Sequence, residues 1–198
     1  MSQTLEFFFD VGSPASYLAW TQAPALVART GATLRYRPML LGGVFKATGN
    51  ASPAAVPAKG RYSRHDMQRF ARRYGVTLTM NPHFPVNTLM CMRLATAALD
   101  SDRNDTLLRA LFEGLWRQER DLSDPEVLGR TLAEAGLDAS DWVARAQTPA
   151  VKDALKATTE EAVARGVFGA PTFFVGEEMF FGQDRLDFVE AALNGEPV

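Results

Sequence analysis

The chain opens on a short apolar run, Leu5 to Val11 (Leu-Glu-Phe-Phe-Phe-Asp-Val), closed by Gly12, Ser13 and Pro14. The run is too short and too aromatic to favour a helix, and it has the composition of a buried strand. Pro14 suits the first position of a helix, with Ser13 as its N-cap. Tyr17, Leu18, Ala23, Leu26 and Val27 then carry an apolar face toward Thr30, and Gly31 is the stop signal. Thr33 to Pro38 alternates and predicts a second strand. The opening therefore reads β-turn-α-β, the start of a parallel α/β unit.

Met39 to Arg61 is rich in Gly, Pro and Ala and predicts a long loop. Its admixture of apolar and aromatic residues argues for an ordered, functional one. His65 to Tyr74 reads as helical, and Asn81 to Pro85, with two prolines, interrupts the chain. From Thr88 to Arg165 the pattern is almost wholly helical, with helices predicted over 88–100, 104–119, 125–135, 139–146 and 149–165. Asp124-Pro125 and Thr148-Pro149 each put a capping residue ahead of proline, and Gly136 and Gly166 mark two ends.

Thr172 to Val175 and Met179 to Phe181 then read as strands, with Gly176-Glu177-Glu178 between them at hairpin spacing. Gly182-Gln183-Asp184 turns the chain into a final helix over about 185–194. The order β-α-β, helical block, α-β-β-α predicts a single α/β unit with a large all-helical insertion after the second strand. Residues 1–61 and 166–198 supply most of the core, and residues 62–148 most of the insertion.

Composition narrows the function. The net charge is −2, which gives no support to nucleic-acid binding through a basic face. No signal-peptide pattern and no membrane-length apolar stretch is present, so a soluble cytoplasmic protein is expected. The chain has one cysteine, Cys91, and two histidines, His65 and His83, so neither an internal disulfide nor a Cys/His zinc site is expected.

Three segments carry candidate chemistry. Ser13 stands at a strand-to-helix junction, where unpaired N–H groups and the helix dipole favour an anion. On that segment alone Ser13 reads as an N-cap. A serine nucleophile would need a base, and the Gly-x-Ser-x-Gly elbow is missing. A hydroxyl donating to a guest thiolate is the more economical role. The second segment is Gly169-Ala170-Pro171-Thr172. Composition alone reads Pro171 as a strand-starting proline; the alternative, a cis bond, would leave the Ala170 backbone open to an extended peptide. The third, Phe181-Gly182-Gln183-Asp184-Arg185, is a helix start suited to capping, or to holding a carboxylate or an ammonium group.

Ser13-Pro14-Ala15-Ser16 stands where a thioredoxin-like protein has Cys-x-x-Cys, and Gly169-Ala170-Pro171-Thr172 where that fold has its cis-proline loop. With residues 8–19, 41–50, 56–62, 166–175 and 181–186 in matching order, the chain resembles the 2-hydroxychromene-2-carboxylate isomerase family. That family belongs to the DsbA-like branch and is related to kappa-class glutathione transferases. The resemblance implies a thioredoxin-like fold, glutathione as cofactor, a small aromatic electrophile or enone as substrate, and a homodimer. It places Ser13 on the glutathione sulfur, and Ala170 with cis-Pro171 on its cysteinyl part. Phe181, Gly182, Gln183 and Asp184 fall at its γ-glutamyl end, while Lys46, Asn50 and Lys59 face the substrate.

The implied reaction interconverts 2-hydroxychromene-2-carboxylate and trans-o-hydroxybenzylidenepyruvate through reversible thiolate addition. Lowering a thiol pKa of about 8.5 by two units stabilises the thiolate by roughly 2.7 kcal/mol. A helix N-terminus contributes up to ~2 kcal/mol in partly buried geometry. A hydroxyl bonded to a charged sulfur adds about 1.5–3 kcal/mol. The two together are sufficient. Two rivals share the fold: a kappa-like transferase that consumes glutathione, and a non-catalytic peptide-binding module. A disulfide oxidoreductase is excluded by the single cysteine.

Cys91 lies in Leu89-Met90-Cys91-Met92 on an apolar helix face and reads as a structural cysteine. Cys91→Ala should retain isomerase turnover in the presence of glutathione. Loss of turnover with the fold intact would return the chemistry to the protein's own thiol.

Overall fold

A computed structural model describes residues 3–198. Strand β1 (Thr4–Phe9) leads through a turn into α1 (Pro14–Thr30) and β2 (Thr33–Pro38). The segment 39–164 is helical: α2 (Leu41–Thr48), α3 (Pro57–Tyr74), α4 (Leu89–Ala97), α5 (Asn104–Trp116), α6 (Pro125–Glu134), α7 (Ala139–Ala146) and α8 (Pro149–Ala164). Strands β3 (Thr172–Val175) and β4 (Glu178–Phe181) and helix α9 (Leu186–Leu193) close the chain. Strand order is β2-β1-β3-β4, with β1 parallel to β2 and antiparallel to β3, and β3 antiparallel to β4.

The pleat of β1 divides the core. Leu5, Phe7 and Phe9 point into the larger cluster, shared with α1 and the helical insertion. Phe7 stacks on Phe173 of β3 with ring centroids 4.9 Å apart. Phe8, on the opposite face, packs with Val44, Ala162, Val167 and Phe174 beneath α2 and α8. Glu6 on that second face is satisfied by Arg37 and Arg165, each at 2.7 Å. The Arg165 guanidinium in turn lies 3.7 Å from the centroid of the Phe174 ring. A charge pointing into a sheet–helix layer is thus paired on both of its oxygens.

The helix signals behave as their chemistry requires. Ser13, Asp124, Asp138 and Thr148 cap α1, α6, α7 and α8 through side-chain oxygens. Gly31 ends α1 at a left-handed φ of 67°.

One expectation is corrected. Residues 39–61 are not a loop but α2, a 3-10 turn at Pro53–Ala55 and the first turn of α3. Two residue types misled the reading. Pro57 starts α3 where its missing N–H costs nothing. Glycine permits close packing: a Cβ on Gly43 would lie 3.2 Å from Thr159 Cγ2 of α8, and one on Gly60 would lie 3.2 Å from Ala54 Cα. The C-terminal helix α9 follows a 3-10 turn at Gln183–Arg185.

The insertion grips the turn that follows β1. The indole N–H of buried Trp116, at the end of α5, donates to the Val11 carbonyl at 2.7 Å. The Val11 N–H points at Met92 Sδ of α4 at 3.3 Å. Trp116 is therefore a core residue. Trp116→Phe, which keeps a benzene ring but deletes the N–H and the five-membered ring, should cost at least about 1–3 kcal/mol, by leaving the buried Val11 carbonyl unpaired and opening a cavity. Denaturant unfolding measures it, and a loss below about 0.5 kcal/mol would show that the bond carries little weight.

Candidate active site

The turn between β1 and α1 is built around Asp10. Its carboxylate is buried and accepts three hydrogen bonds: Gly12 N–H at 2.9 Å and Thr88 hydroxyl at 2.8 Å on Oδ1, and Leu41 N–H at 2.9 Å on Oδ2. Its main-chain carbonyl takes the Ser13 N–H at 3.0 Å. Burial raises the Asp10 pKa above the usual carboxylate range, while the bonds from Leu41, Gly12 and Thr88 oppose that rise. One side chain thus ties the end of β1 to the starts of α2 and α4.

Ser13 occupies the N-cap of α1, and its hydroxyl works in two directions. Its Oγ accepts from Ser16 N–H at 3.1 Å, which is the capping bond. The same hydroxyl donates to the Ala170 carbonyl at 3.1 Å. Capping and an outward-reaching donor are therefore compatible in one group. The Ser16 hydroxyl one turn on is wholly buried and has no partner among the described residues.

The facing loop is Val167–Thr172, with a cis Ala170–Pro171 peptide. The Pro171 carbonyl accepts from Gly182 N–H at 3.0 Å, which joins the loop to the β4–α9 turn. Asn50, just past α2, donates to the Phe168 carbonyl at 2.7 Å. Phe168 and Phe181 form a half-exposed aromatic pair with ring centroids 4.5 Å apart. A Cβ on Gly169 would fall 2.7 Å from the Phe181 ring, so glycine is what lets that ring close over the loop.

The β4–α9 turn contributes Gly182, Gln183 and Asp184. Gly182 has φ 104°, open essentially to glycine alone, and a Cβ there would lie 2.4 Å from an Asp184 oxygen. The Gln183 carbonyl accepts from Tyr74 OH of α3 at 2.7 Å. Burial, reinforced by the charge of Asp184, pushes the Tyr74 phenol up to about 12, so it stays a donor. The Asp184 carboxylate is exposed at the surface and pairs with Arg185 at 2.7 Å.

Hydrogen bonds thus bring together Ser13, Ala170, Pro171 and Gly182, with Asn50 attached through Phe168. Gln183 and Asp184 follow directly on Gly182. Lys46, at the end of α2, and Lys59, in the first turn of α3, are exposed and lie outside that hydrogen-bonded set. The sequence analysis gave no role to Asp10, Thr88, Met92 or Tyr74. Of these only Asp10 leaves a signal in the sequence, a carboxylate inside an apolar run.

Cys91 is no alternative nucleophile. It is fully buried on α4, and burial, with the nearby Asp10 charge, raises its thiol to about 12. What the arrangement offers is a helix N-terminus, a serine hydroxyl free to re-aim, and a facing backbone segment.

The family model of the DSBA-like thioredoxin domain matches residues 4–194. The chain is 34% identical to 2-hydroxychromene-2-carboxylate isomerase of Sphingobium xenophagum, over 98% of this chain and 99% of that protein. It is 29% identical to human glutathione S-transferase kappa 1, over 99% of this chain and 92% of that one. A solved 2-hydroxychromene-2-carboxylate isomerase superposes with a TM-score of 0.86 at 27% identity, covering 97% of this chain and 95% of the other. The fold and these full-length matches agree: the chain belongs to the DsbA-like thioredoxin family, alongside the 2-hydroxychromene-2-carboxylate isomerases.

Proposed function

We propose that this protein is a glutathione-dependent isomerase that interconverts 2-hydroxychromene-2-carboxylate and trans-o-hydroxybenzylidenepyruvate. The observation that carries the reading is the Ser13 hydroxyl at the head of α1, bonded to Ala170 beside cis-Pro171. Three features favour glutathione at this site. Ala170 N–H has no hydrogen-bond partner among the described residues, and its carbonyl keeps a second lone pair for a ligand N–H. The orphaned Ser16 hydroxyl leaves unused hydrogen-bonding capacity next to Ser13. The kappa-class relatives are by name glutathione transferases.

Glutathione, when bound, supplies a thiolate that adds reversibly to the conjugated substrate. Ser13 turns its hydroxyl from the Ala170 carbonyl to the sulfur and, with the α1 N-terminus, holds the negative charge. The Ala170 backbone pairs with the cysteinyl part of the cofactor. Gln183 and Asp184 bind its γ-glutamyl end, and Gly182 keeps their turn in register. Phe168 and Phe181 give an apolar wall for an aromatic ring. Lys46 and Lys59, without ion-pair partners among the described residues, supply positive charge for the substrate carboxylate, and Asn50, bonded to the Phe168 carbonyl, adds a polar group. The cytoplasm, where glutathione is kept reduced, suits this chemistry.

The test is turnover of either compound with a measured glutathione balance. Isomerisation should proceed with total glutathione unchanged. Stoichiometric loss of glutathione into a conjugate would favour the transferase reading instead. Ser13→Ala should fold, with about 0.5–2 kcal/mol lost from the α1 cap. Its kcat should fall roughly 10- to 100-fold, the weight of one charge-assisted hydrogen bond. An unchanged kcat would remove Ser13 from the chemistry.

A further inference from the structure

We propose that Thr88 is a positioning residue for Ser13, acting through the buried carboxylate of Asp10. The proposal rests on the reading of Ser13 as the donor to a bound thiolate.

Thr88 stands at the N-cap of α4, yet its side chain makes no capping bond there. Its hydroxyl donates instead to Asp10 Oδ1 at 2.8 Å, inside the core. The same oxygen receives the Gly12 N–H at 2.9 Å, and the Asp10 carbonyl receives the Ser13 N–H at 3.0 Å. A threonine 75 residues on therefore helps fix the Asp10 carboxylate, which holds the Gly12 N–H one residue ahead of Ser13, while the Asp10 main-chain carbonyl holds the Ser13 N–H. The Thr88 methyl adds a steric stop: a Cβ on Gly12 would lie 2.9 Å from Thr88 Cγ2 and 3.3 Å from Asp10 Oδ1. Gly12 does not have a positive φ, so it is this contact, and not backbone conformation, that demands glycine there.

The two contacts make separate demands. Without the hydroxyl the carboxylate is held by two donors in place of three, the Gly12 N–H on Oδ1 and the Leu41 N–H on Oδ2. The Gly12 N–H, one residue ahead of Ser13, is then held less firmly, and with it the aim of the Ser13 hydroxyl. Catalysis by a positioned donor is sensitive to such loss, because the bond must form at the place where charge develops.

The experiment compares Thr88→Val, Thr88→Ser, Gly12→Ala and the double variant Gly12→Ala/Thr88→Ser. Each is assayed for kcat, for the KM of glutathione, and for the thiol pKa of bound glutathione followed by ultraviolet thiolate absorbance. Thr88→Val, nearly isosteric but without the hydroxyl, should lower kcat about tenfold or more. It should also move the bound thiol pKa toward the free value of about 8.5. The KM of glutathione should stay within about twofold, since the Ala170 and Gln183 contacts are untouched. Thr88→Ser keeps the hydroxyl and should retain most of kcat. Gly12→Ala should behave like Thr88→Val, and adding Thr88→Ser, which deletes the obstructing methyl, should restore activity.

Wild-type kcat and thiol pKa in Thr88→Val would overturn the proposal while leaving the isomerase reading intact. So would a Thr88→Ser variant as impaired as Thr88→Val. If Thr88→Val fails to fold, the Gly12 pair decides, and a double variant no better than Gly12→Ala counts against the proposal. Failure of the wild-type protein to bind glutathione would overturn both readings together.

Discussion

Ser13 and Ala170 are 157 residues apart in sequence, and a single 3.1 Å hydrogen bond joins them across the mouth of the site. The order of the sheet makes this meeting possible. Strand β1 lies between β2 and β3, which brings the turn after β1 beside the segment that enters β3. The antiparallel register Leu5↔Val175 to Phe8↔Thr172 sets how far the two segments slide past one another. A shift of β3 by one residue would also carry Phe173 to the opposite face of the sheet, away from its stack on Phe7, so packing of the aromatic layer and alignment of the site are one constraint.

The electrostatics of the turn are mixed. The α1 N-terminus and the Ser13 hydroxyl favour an anion, while the Asp10 carboxylate lies three residues away in the core. Burial disfavours its charge, and the donors from Gly12, Leu41 and Thr88 support it. Its value to the protein is geometric: one side chain takes three donors from three different segments and sets the path of the chain into α1. An ionised Asp10 works against a thiolate nearby, and burial, by raising the Asp10 pKa, acts to lessen that charge.

Much of this was legible in the sequence, for local reasons. Strand and helix positions follow from apolar periodicity and from capping pairs such as Asp124-Pro125, and the Ser13–Pro14 junction announces both a cap and an anion site. Resemblance to a family then placed Ala170, Gln183 and Asp184 together, which no local rule does. The helices within 39–61 escaped notice because glycine and proline were read as loop formers. At Gly43 and Gly60 they serve close packing, and at Pro57 a helix start, which only tertiary contacts reveal. Thr88, Met92 and Trp116 act on the turn from 78, 81 and 105 residues away, and nothing in their own segments points there. Lys46 and Lys59 illustrate the reverse case: the family pattern draws attention to them, while the hydrogen-bond network passes them by.

The central claim is that this protein stabilises a thiolate that is not its own. Its most direct test is the pH titration of glutathione bound to the wild-type protein, followed by thiolate absorbance. The account predicts half-ionisation about two units below the free thiol value of about 8.5. A bound thiol that titrates at the free value would contradict it.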